Sequence, residues 1–488
     1  MLVQIYSQSG NRRWVTGQSM ILLGTGMVAV FSLLCWLVGA SSQWAGVQIN
    51  LLLFLLLTLN VSPILVELIC RRFDPFDAKH LFLAYFFLIF TWSAFCEIKF
   101  EVVKPGLAVQ VLDATTRVRA LGAIVLGLAA FIIGCYLPIG AHLASALPVL
   151  PTFPANRVRL VSYLGIASGL AAFYYLMFSA GGISNFLLNL GTWRTVGVLA
   201  GVGYLTFPIS TVLPASVLLL LLRALHTFSH WLSWRVLWML LLITVGLGPV
   251  LILGFRVTLV PILVQFLMVW HYKRRRLRLR FLLVIAAMMI AGLSIYSNFR
   301  SHADILAGEA LSEGVLLRTP GLATVERVVQ RMDQGEPYRS LSSGVLEALT
   351  ILVPRAIWPN KPPTAGLAFD DIFFYDYFIA RGDPVDGLKS GIPPTVIGDA
   401  LWTRGIGMVI LGLLALGMFA RTISTWGARS FGPPLQLFVY ALFSTNLPIF
   451  VEAPQNALNT YVMLGAMCVL MVAAINVRVT GGRRLVPL

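Results

Sequence analysis

Long apolar stretches recur along most of this 488-residue chain, and they limit its possible folds more than any other feature. Hydrophobic residues make up 58% of the sequence and charged residues 11%, whereas about a quarter of a soluble domain is usually charged. Because backbone polar groups need internal partners in lipid, only helices or closed barrels cross a bilayer. The runs at 51–57 and 217–222 lack the alternation of a barrel strand. The sequence therefore predicts an all-α polytopic integral membrane protein.

About 12 transmembrane helices fit the apolar stretches, within a range of about 11 to 13, because each span needs about 20 apolar residues. They fall at 19–40, 48–69, 80–97, 120–138, 159–179, 206–222, 237–253, 257–271, 281–297, 405–420, 434–450 and 459–476. The first is too long for a signal-peptide core, so we expect it to remain as a helix. All five cysteines lie in or at the ends of these spans, which favours neither disulfides nor a zinc site.

One long hydrophilic segment, residues 298–404, interrupts the series of spans. It has ten Lys and Arg against thirteen Asp and Glu, a net charge of −3 in a chain of net charge +16. Loops of such length are usually functional rather than connective. The chain thus divides into 1–297 with nine helices, the loop at 298–404, and 405–488 with three helices and a tail. The stretch 323–333 has amphipathic spacing that predicts a short helix within the loop, with one face formed by Val325, Val328, Val329 and Met332.

Lys and Arg in the short loops indicate the orientation of the chain. With the N-terminus in the cytoplasm, twenty basic residues of the short segments lie inside and six lie outside. The strongest anchor is YKRRRLRLR at 272–280, just before the span that enters the long loop. We therefore expect both termini in the cytoplasm and the long loop outside. We interpret the basic runs as topology signals and contacts to anionic lipid, not as nucleic-acid sites.

Two isolated arginines lie at the predicted outer boundary of the membrane. Arg256, in the turn GFR, is the only charged residue between Arg235 and Lys273, and Arg194 lies beside Trp193 in an outer loop. Each can be an ordinary anchor that reaches toward lipid headgroups. Alternatively, a guanidinium at this depth can bind a phosphate with two parallel hydrogen bonds.

The run PRAIWPNKPP, at 354–363, is too rich in proline to be helical beyond Ile357. It presents Arg355, Trp358 and Lys361 on a stiff strip, which suits a pyrophosphate next to the face of a sugar. The strip can equally be a rigid turn that closes the loop against the membrane.

Further candidates lie in the second half of the loop and near its ends. Tyr375 belongs to DDIFFYDYF at 370–378, where aromatic rings and acids suit a carbohydrate or form an interfacial cluster. Asp399, in IGDALW, is a candidate general base or one half of an Asp–Arg pair with Arg404. Arg300 and Arg404, near the two ends of the loop, are candidate substrate-binding residues. The acids and histidines lack the spacing of metal ligands, so the sequence predicts no metal and no cofactor.

Several of these motifs together resemble the Wzy-type O-antigen and exopolysaccharide repeat-unit polymerases, and they touch most of the membrane body. The resemblance rests on PRAIWPNKPP, on GIPPTVIGDALW before an apolar span, on RRFDPFDAKH between the second and third spans, on AGGISNFLLN followed by an arginine, and on GFR.

This resemblance implies a glycosyltransferase of polysaccharide biosynthesis, with a fold similar to the GT-C class and a large periplasmic loop, in the bacterial inner membrane. Such enzymes work without a metal and join lipid-linked oligosaccharide repeats at the periplasmic face, releasing undecaprenyl pyrophosphate. The product is lipopolysaccharide, capsule or free exopolysaccharide. A chain-length regulator and a flippase are the expected partners, besides membrane lipids. In this scheme Arg194, Arg256 and Arg355 would neutralise the leaving pyrophosphate, and Asp399 would take the proton of the acceptor hydroxyl.

Two alternatives stay open. An O-antigen ligase shares this architecture and transfers glycan to lipid A core, but it would favour a catalytic His in the loop, where His302 stands alone. A polysaccharide or lipid-linked-glycan transporter would be expected to have polar or broken helices near the midplane of the bilayer.

Overall fold

The computed structural model contains only helices as regular elements within the residues that it describes. These residues are 8–39, 43–100, 113–150, 154–182, 184–185, 205–224, 234–253, 256–274, 276–285, 287–288, 321–340, 358, 369, 372–373, 394–428 and 434–476. In chain order the helices are α1 (Gln8–Val38), α2 (Ala45–Ile69), α3 (Ala78–Lys99), α4 (Ala114–Tyr136), α5 (Pro138–Ala146), α6 (Ala155–Ser179), α7 (Leu213–Ala224), α8 (Trp234–Ile252), α9 (Arg256–Lys273), α10 (Gly321–Asp333), α11 (Val396–Arg404), α12 (Ile406–Ala428), α13 (Pro434–Asn446), α14 (Ile449–Glu452) and α15 (Pro454–Asn476).

Eight helical segments in this part of the chain are long and apolar enough to cross a membrane, which confirms the predicted polytopic helical class. They are Gly17–Val38, Ala45–Ile69, Ala78–Lys99, Ala114–Tyr136, Ala155–Ser179, Ile406–Ala428, Pro434–Glu452 and Pro454–Ile475. The predicted spans at 206–222 and 237–253 correspond to shorter apolar helices, and 257–271 lies within α9. Most of the predicted span at 281–297 is outside the described residues. The number twelve and the GT-C arrangement therefore stay predictions.

Helix α4 is the central element of the bundle, because almost all of its side chains from Val118 to Tyr136 are buried. Glycines allow α12 to pack closely against it. A Cβ added at Gly417 would lie only 2.1 Å from the carbonyl oxygen of Phe131, and one at Gly134 would lie 2.2 Å from that of Leu414. Small residues at helix contacts allow such close backbone approach within membranes.

Contacts between helix ends define two opposite ends of the bundle. At one end, which we call the loop end, α10 from the predicted long loop packs on the first turns of α4. Arg117 donates to the Glu326 carboxylate at 2.8 Å, and Arg119 donates to Asp333 at 2.5 Å. The predicted apolar face of this helix is confirmed, since Val325, Val328 and Val329 are buried and Met332 is partly buried.

The opposite end contains a buried cluster of charged and polar groups around Glu67. Lys79 forms an ion pair with Glu67, the Nε2 atom of His80 lies 3.1 Å from it, and the Tyr136 hydroxyl donates to it at 3.2 Å. Glu67 lies within the predicted span 48–69. The structure shows that the RRFDPFDAKH segment supplies its cation, so the cluster ties α2, α3 and α4 together.

Candidate functional site

The segment that carries Asp399 forms α11, a short helix with an unusual start. Pro393 and Pro394 cannot continue a helix from upstream, and Thr395 caps α11 by accepting a hydrogen bond from the Gly398 N–H at 3.2 Å. Thr395 has a φ of 57°, which is rare for a β-branched residue. Its N–H donates to the carbonyl oxygen of Glu452 at 3.1 Å. Such strain persists where surrounding contacts enforce it, and it clusters at functional sites.

Helix α11 reaches into the middle of the bundle. A Cβ added at Gly127, near the middle of α4, would lie 2.5 Å from Cδ1 of Ile397 and 3.1 Å from Cγ1 of Val409. The first turns of α11 and α12 therefore both contact the central part of α4. Gly405, with a φ of 68°, separates the two helices. The structure thus places Asp399 on a separate short helix inside the bundle, just before the long apolar helix α12.

The Asp399 carboxylate is held by two residues from distant parts of the chain. Its Oδ1 atom accepts a hydrogen bond from Nε2 of Gln455 at 3.1 Å and lies 3.5 Å from Nη1 of Arg339. The two charged side chains are 18% and 12% exposed. The carboxylate is therefore partly exposed, and these contacts orient it.

The structure identifies an arginine beside Asp399. The sequence left two roles open for Asp399, a general base or one half of a pair with Arg404, and these two residues are five positions apart on one helix and so point in different directions. Arg404 is exposed at the end of α11, while Arg339 comes from the predicted long loop. The backbone N–H of Arg339 donates a hydrogen bond to the Trp402 carbonyl oxygen at 2.9 Å. The Arg339 guanidinium lies over the Trp402 ring, 5.4 Å from its centroid.

A break between α13 and α15 brings a second acid to this region. The chain turns at 447–448, forms the single turn α14, and begins α15 at Pro454. The Glu452 carboxylate at the end of α14 accepts a hydrogen bond from the Tyr85 hydroxyl of α3. Gln455 donates a hydrogen bond to Asp399, and the Glu452 carbonyl oxygen accepts one from the Thr395 N–H. The segment at the break therefore helps to hold α11 in place.

The same break borders a cavity of about 110 Å³ between α7, α9, α13 and α15. Its polar lining consists of Ser210, Thr211, Thr258, Gln265, Asn446 and Thr460. Thr258 lies fourteen residues before Tyr272, and the Tyr272 hydroxyl bonds Asp74 at the opposite end. At about 1.5 Å per residue, the cavity is therefore in the half of the bundle nearer the loop end.

The other predicted site residues are described only in part. Trp358 is 37% exposed, and Arg256 is the first residue of α9, where only the backbone is described. Arg194, Arg300, Arg355, Lys361 and Tyr375 lie outside the described residues. Their proposed contacts with substrate stay predictions.

Sequence reasoning missed Arg339, Gln455, Glu452 and Tyr85. Arg339 is one of ten basic residues in the predicted loop, and nothing in its local pattern distinguishes it. Gln455 and Glu452 flank a proline at the junction of two predicted spans. That proline, Pro454, and Pro448 at the turn after α13 were the signs in the sequence that the helices break there.

The chain was compared with protein-family models, curated protein sequences and solved structures, and none of them matched it. Within the described ranges, no three His, Cys, Asp or Glu residues are grouped as ligands of a metal ion. The site is therefore interpreted from its own geometry and from the motifs of the sequence.

Proposed function

We propose that this protein is a membrane glycosyltransferase that joins lipid-linked oligosaccharide repeat units at the loop end of the bundle. One observation carries the proposal: a reachable carboxylate, Asp399, is oriented by an arginine of the long loop and a glutamine of a membrane helix. A loop that supplies part of a site inside the bundle is expected of an enzyme that acts on the headgroup of a membrane-held substrate.

Asp399 has the role of general base in this proposal. Its carboxylate accepts the proton of the acceptor hydroxyl while the hydroxyl oxygen bonds to the anomeric carbon of the donor. The bond from that carbon to undecaprenyl pyrophosphate breaks, and the pyrophosphate leaves with the electron pair. Charge develops on the leaving group, so fixed cations lower the barrier. Arg339 joins the predicted Arg194, Arg256 and Arg355 as a candidate for this task.

Gln455 and Arg339 are positioning residues for the carboxylate. Gln455 is a neutral donor, which holds Asp399 without adding positive charge. The Arg339 contact of 3.5 Å is longer than a direct hydrogen bond, so it orients the carboxylate more weakly than a close bidentate pair would.

The direct test is polymer formation by purified protein in lipid nanodiscs supplied with lipid-linked repeat units. We expect Asp399→Asn to lower the rate by about 10²-fold or more, as loss of a general base does, with the protein still folded. Asp113→Asn is the matched control, because Asp113 is an exposed acid at the loop end. Equal rates for Asp399→Asn and wild type would refute the assignment of the base.

The transporter alternative is favoured by one observation, the polar cavity between interrupted helices. Residues Pro208–Val212 form a π-helix before α7, and α13 breaks at the cavity border. Transporter sites have such discontinuous helices. The two functions differ in a simple assay, because a transporter moves lipid-linked glycan across sealed liposomes without forming new glycosidic bonds. The ligase alternative predicts transfer to lipid A core in place of chain growth.

A further inference from the structure

None of the twelve described residues that line the polar cavity near the loop end is charged. Six of its twelve lining residues carry hydroxyl or amide groups, and the others are proline, leucine and isoleucine. Hydroxyls and amides can each donate and accept hydrogen bonds. Among these residues an anion or an ammonium group would find no counter-ion, whereas a neutral group with several hydroxyls would find matching partners.

The two amide side chains in the lining, Gln265 and Asn446, are held by hydrogen bonds to residues of the helices. Gln265 is buried, and its Nε2 atom donates to the Thr445 hydroxyl at 3.0 Å. Asn446 is also buried, and its Nδ2 atom donates to the Leu442 carbonyl at 2.7 Å. These bonds fix the orientation of both amides. A rigid set of polar groups that is formed before a ligand arrives favours specific binding.

The helices around the cavity are irregular where they border it. Ser210 and Thr211 belong to the π-helix Pro208–Val212, and Pro261 lies inside α9. A π-helical turn widens a helix and is frequent at functional sites. The chain also ends α13 at Asn446, one of the lining residues. These irregularities open space in a bundle that is otherwise closely packed around α4.

The size of the cavity limits what it can hold. A single water needs about 10–15 Å³ of the same measure, so a volume of about 110 Å³ is several times larger. It exceeds the space of a single ion and is too small for an oligosaccharide. Segment 446–455 borders the cavity at Asn446 and Ile449 and contacts α11 through Glu452 and Gln455. The cavity is thus linked through one short segment to the Asp399 helix.

We propose that this cavity binds one uncharged, hydroxyl-bearing sugar ring of the lipid-linked substrate. The proposal rests on the proposed glycosyltransferase function and adds a subsite to it. The hydroxyls and amides recognise the sugar hydroxyls, and the apolar residues Ile262, Leu442 and Leu464 contact the carbon face of the ring. Specificity arises because a buried polar group left without a partner lowers affinity strongly.

Binding of radiolabelled octyl glycosides of glucose, galactose and N-acetylglucosamine to the protein in nanodiscs tests this subsite. We expect saturable binding of at least one glycoside that unlabelled glycoside displaces and 1-octanol does not. Thr460→Leu fills part of the cavity and should weaken this binding at least tenfold. Thr58→Leu is the matched control, because Thr58 also donates to the carbonyl four residues earlier but lies on the exposed face of α2.

Three results would overturn the proposal: no saturable binding of any of the three glycosides, equal affinity in Thr460→Leu and wild type, or displacement of the glycoside by sodium but not by choline. Polymer assays separate this inference from the proposed function. If the subsite is real, Thr460→Leu raises KM for the lipid-linked repeat more than it lowers kcat, and Asp399→Asn still binds the glycoside. If Asp399→Asn keeps full polymerase activity while glycoside binding persists, the catalytic assignment fails and the binding site does not.

Discussion

The docking of α10 onto the membrane helices depends on a buried carboxylate, and Arg117→Ala tests this dependence. Glu326 is 3% exposed and accepts a hydrogen bond from Arg117, whose side chain is 34% exposed. Burial raises the pKa of Glu326 above its ordinary value, and Arg117 partly offsets that effect. Removing Arg117 leaves the Glu326 carboxylate buried without its cation. Removing one partner of a buried ion pair costs more stability than replacing both partners by neutral groups.

The size of the effect follows from the burial of the two partners. Breaking a fully buried pair costs about 3–5 kcal/mol. Protonation limits the cost, because neutralising a carboxyl with a usual pKa of about 4.3 at pH 7 takes about 3.7 kcal/mol. The partial exposure of Arg117 reduces its contribution further. We therefore expect α10 docking to weaken by about 2–3 kcal/mol, or roughly 30- to 150-fold in its opening equilibrium.

Hydrogen–deuterium exchange of the amides in α10 measures this opening. Arg119→Ala is the control, because the Arg119–Asp333 pair is 26% and 46% exposed, and exposed pairs contribute about 1 kcal/mol or less. The double variant Arg117→Ala, Glu326→Gln should recover most of the protection, since the buried charge is then absent. Unchanged exchange in Arg117→Ala at pH 7, or a double variant as labile as the single one, would refute the reasoning.

The pH dependence of the Arg117→Ala variant has a definite sign. A carboxyl whose pKa is raised in the docked state favours the protonated form there, so docking strengthens as the pH falls toward the ordinary pKa and weakens as the pH rises. Exchange in α10 of the variant should therefore slow between pH 7 and pH 5 after correction for the intrinsic rate. The wild-type protein should change less, because Arg117 compensates for the buried charge.

Other perturbations have outcomes that the structure also predicts. Lys79→Met should lower the free energy of unfolding of the purified protein by about 3–5 kcal/mol, because it leaves Glu67 buried without its nearest cation. A second change, Glu67→Gln, should restore most of this loss in thermal unfolding experiments. A double variant that is no more stable than Lys79→Met would argue against this origin. Gly417→Val should prevent α12 from packing against α4, since a Cβ there would lie 2.1 Å from the Phe131 carbonyl oxygen. In size-exclusion chromatography this variant should not give a monodisperse protein. Gly407→Val is the control and should leave the protein monodisperse, because a Cβ at Gly407 meets nothing within 4 Å. Chelator should leave polymer synthesis unchanged, and loss of activity with EDTA that added metal restores would contradict the predicted metal-free mechanism.

Part of the candidate site could be predicted from the sequence, and part could not. Asp399 was a candidate because an acid next to a predicted membrane span is rare and has a chemical use. Its pairing was left open, and the structure places Arg339 beside it, whereas the nearest arginine in the sequence, Arg404, lies on a different face of the same helix. Arg339 is sixty residues away, so no local pattern connects it with Asp399. Such a pairing depends on how the loop packs back into the bundle.

The interior of the bundle differs from the expectation in a similar way. Hydropathy treats each span as a uniform apolar rod, so it does not detect where a helix breaks or widens. Gln265 is isolated within an apolar stretch, while Asn446 follows Ser444 and Thr445 and Thr460 follows Asn459, and such single polar residues or short polar groups are ordinary. Their common cavity exists because α9, α13 and α15 meet at the break near Pro448.

The sequence by itself determined the class of this protein, since a run of about 20 apolar residues has few stable structures in lipid other than a helix. It also determined the amphipathic helix α10, because a period of 3.6 residues is a local property of the chain. Tertiary structure alone decided that α10 docks on α4, that Arg339 orients Asp399, and that α7, α9, α13 and α15 enclose a polar cavity. These features join residues far apart in sequence. Their positions follow from close helix packing and from the need of buried charges for a partner, which no single segment can satisfy alone.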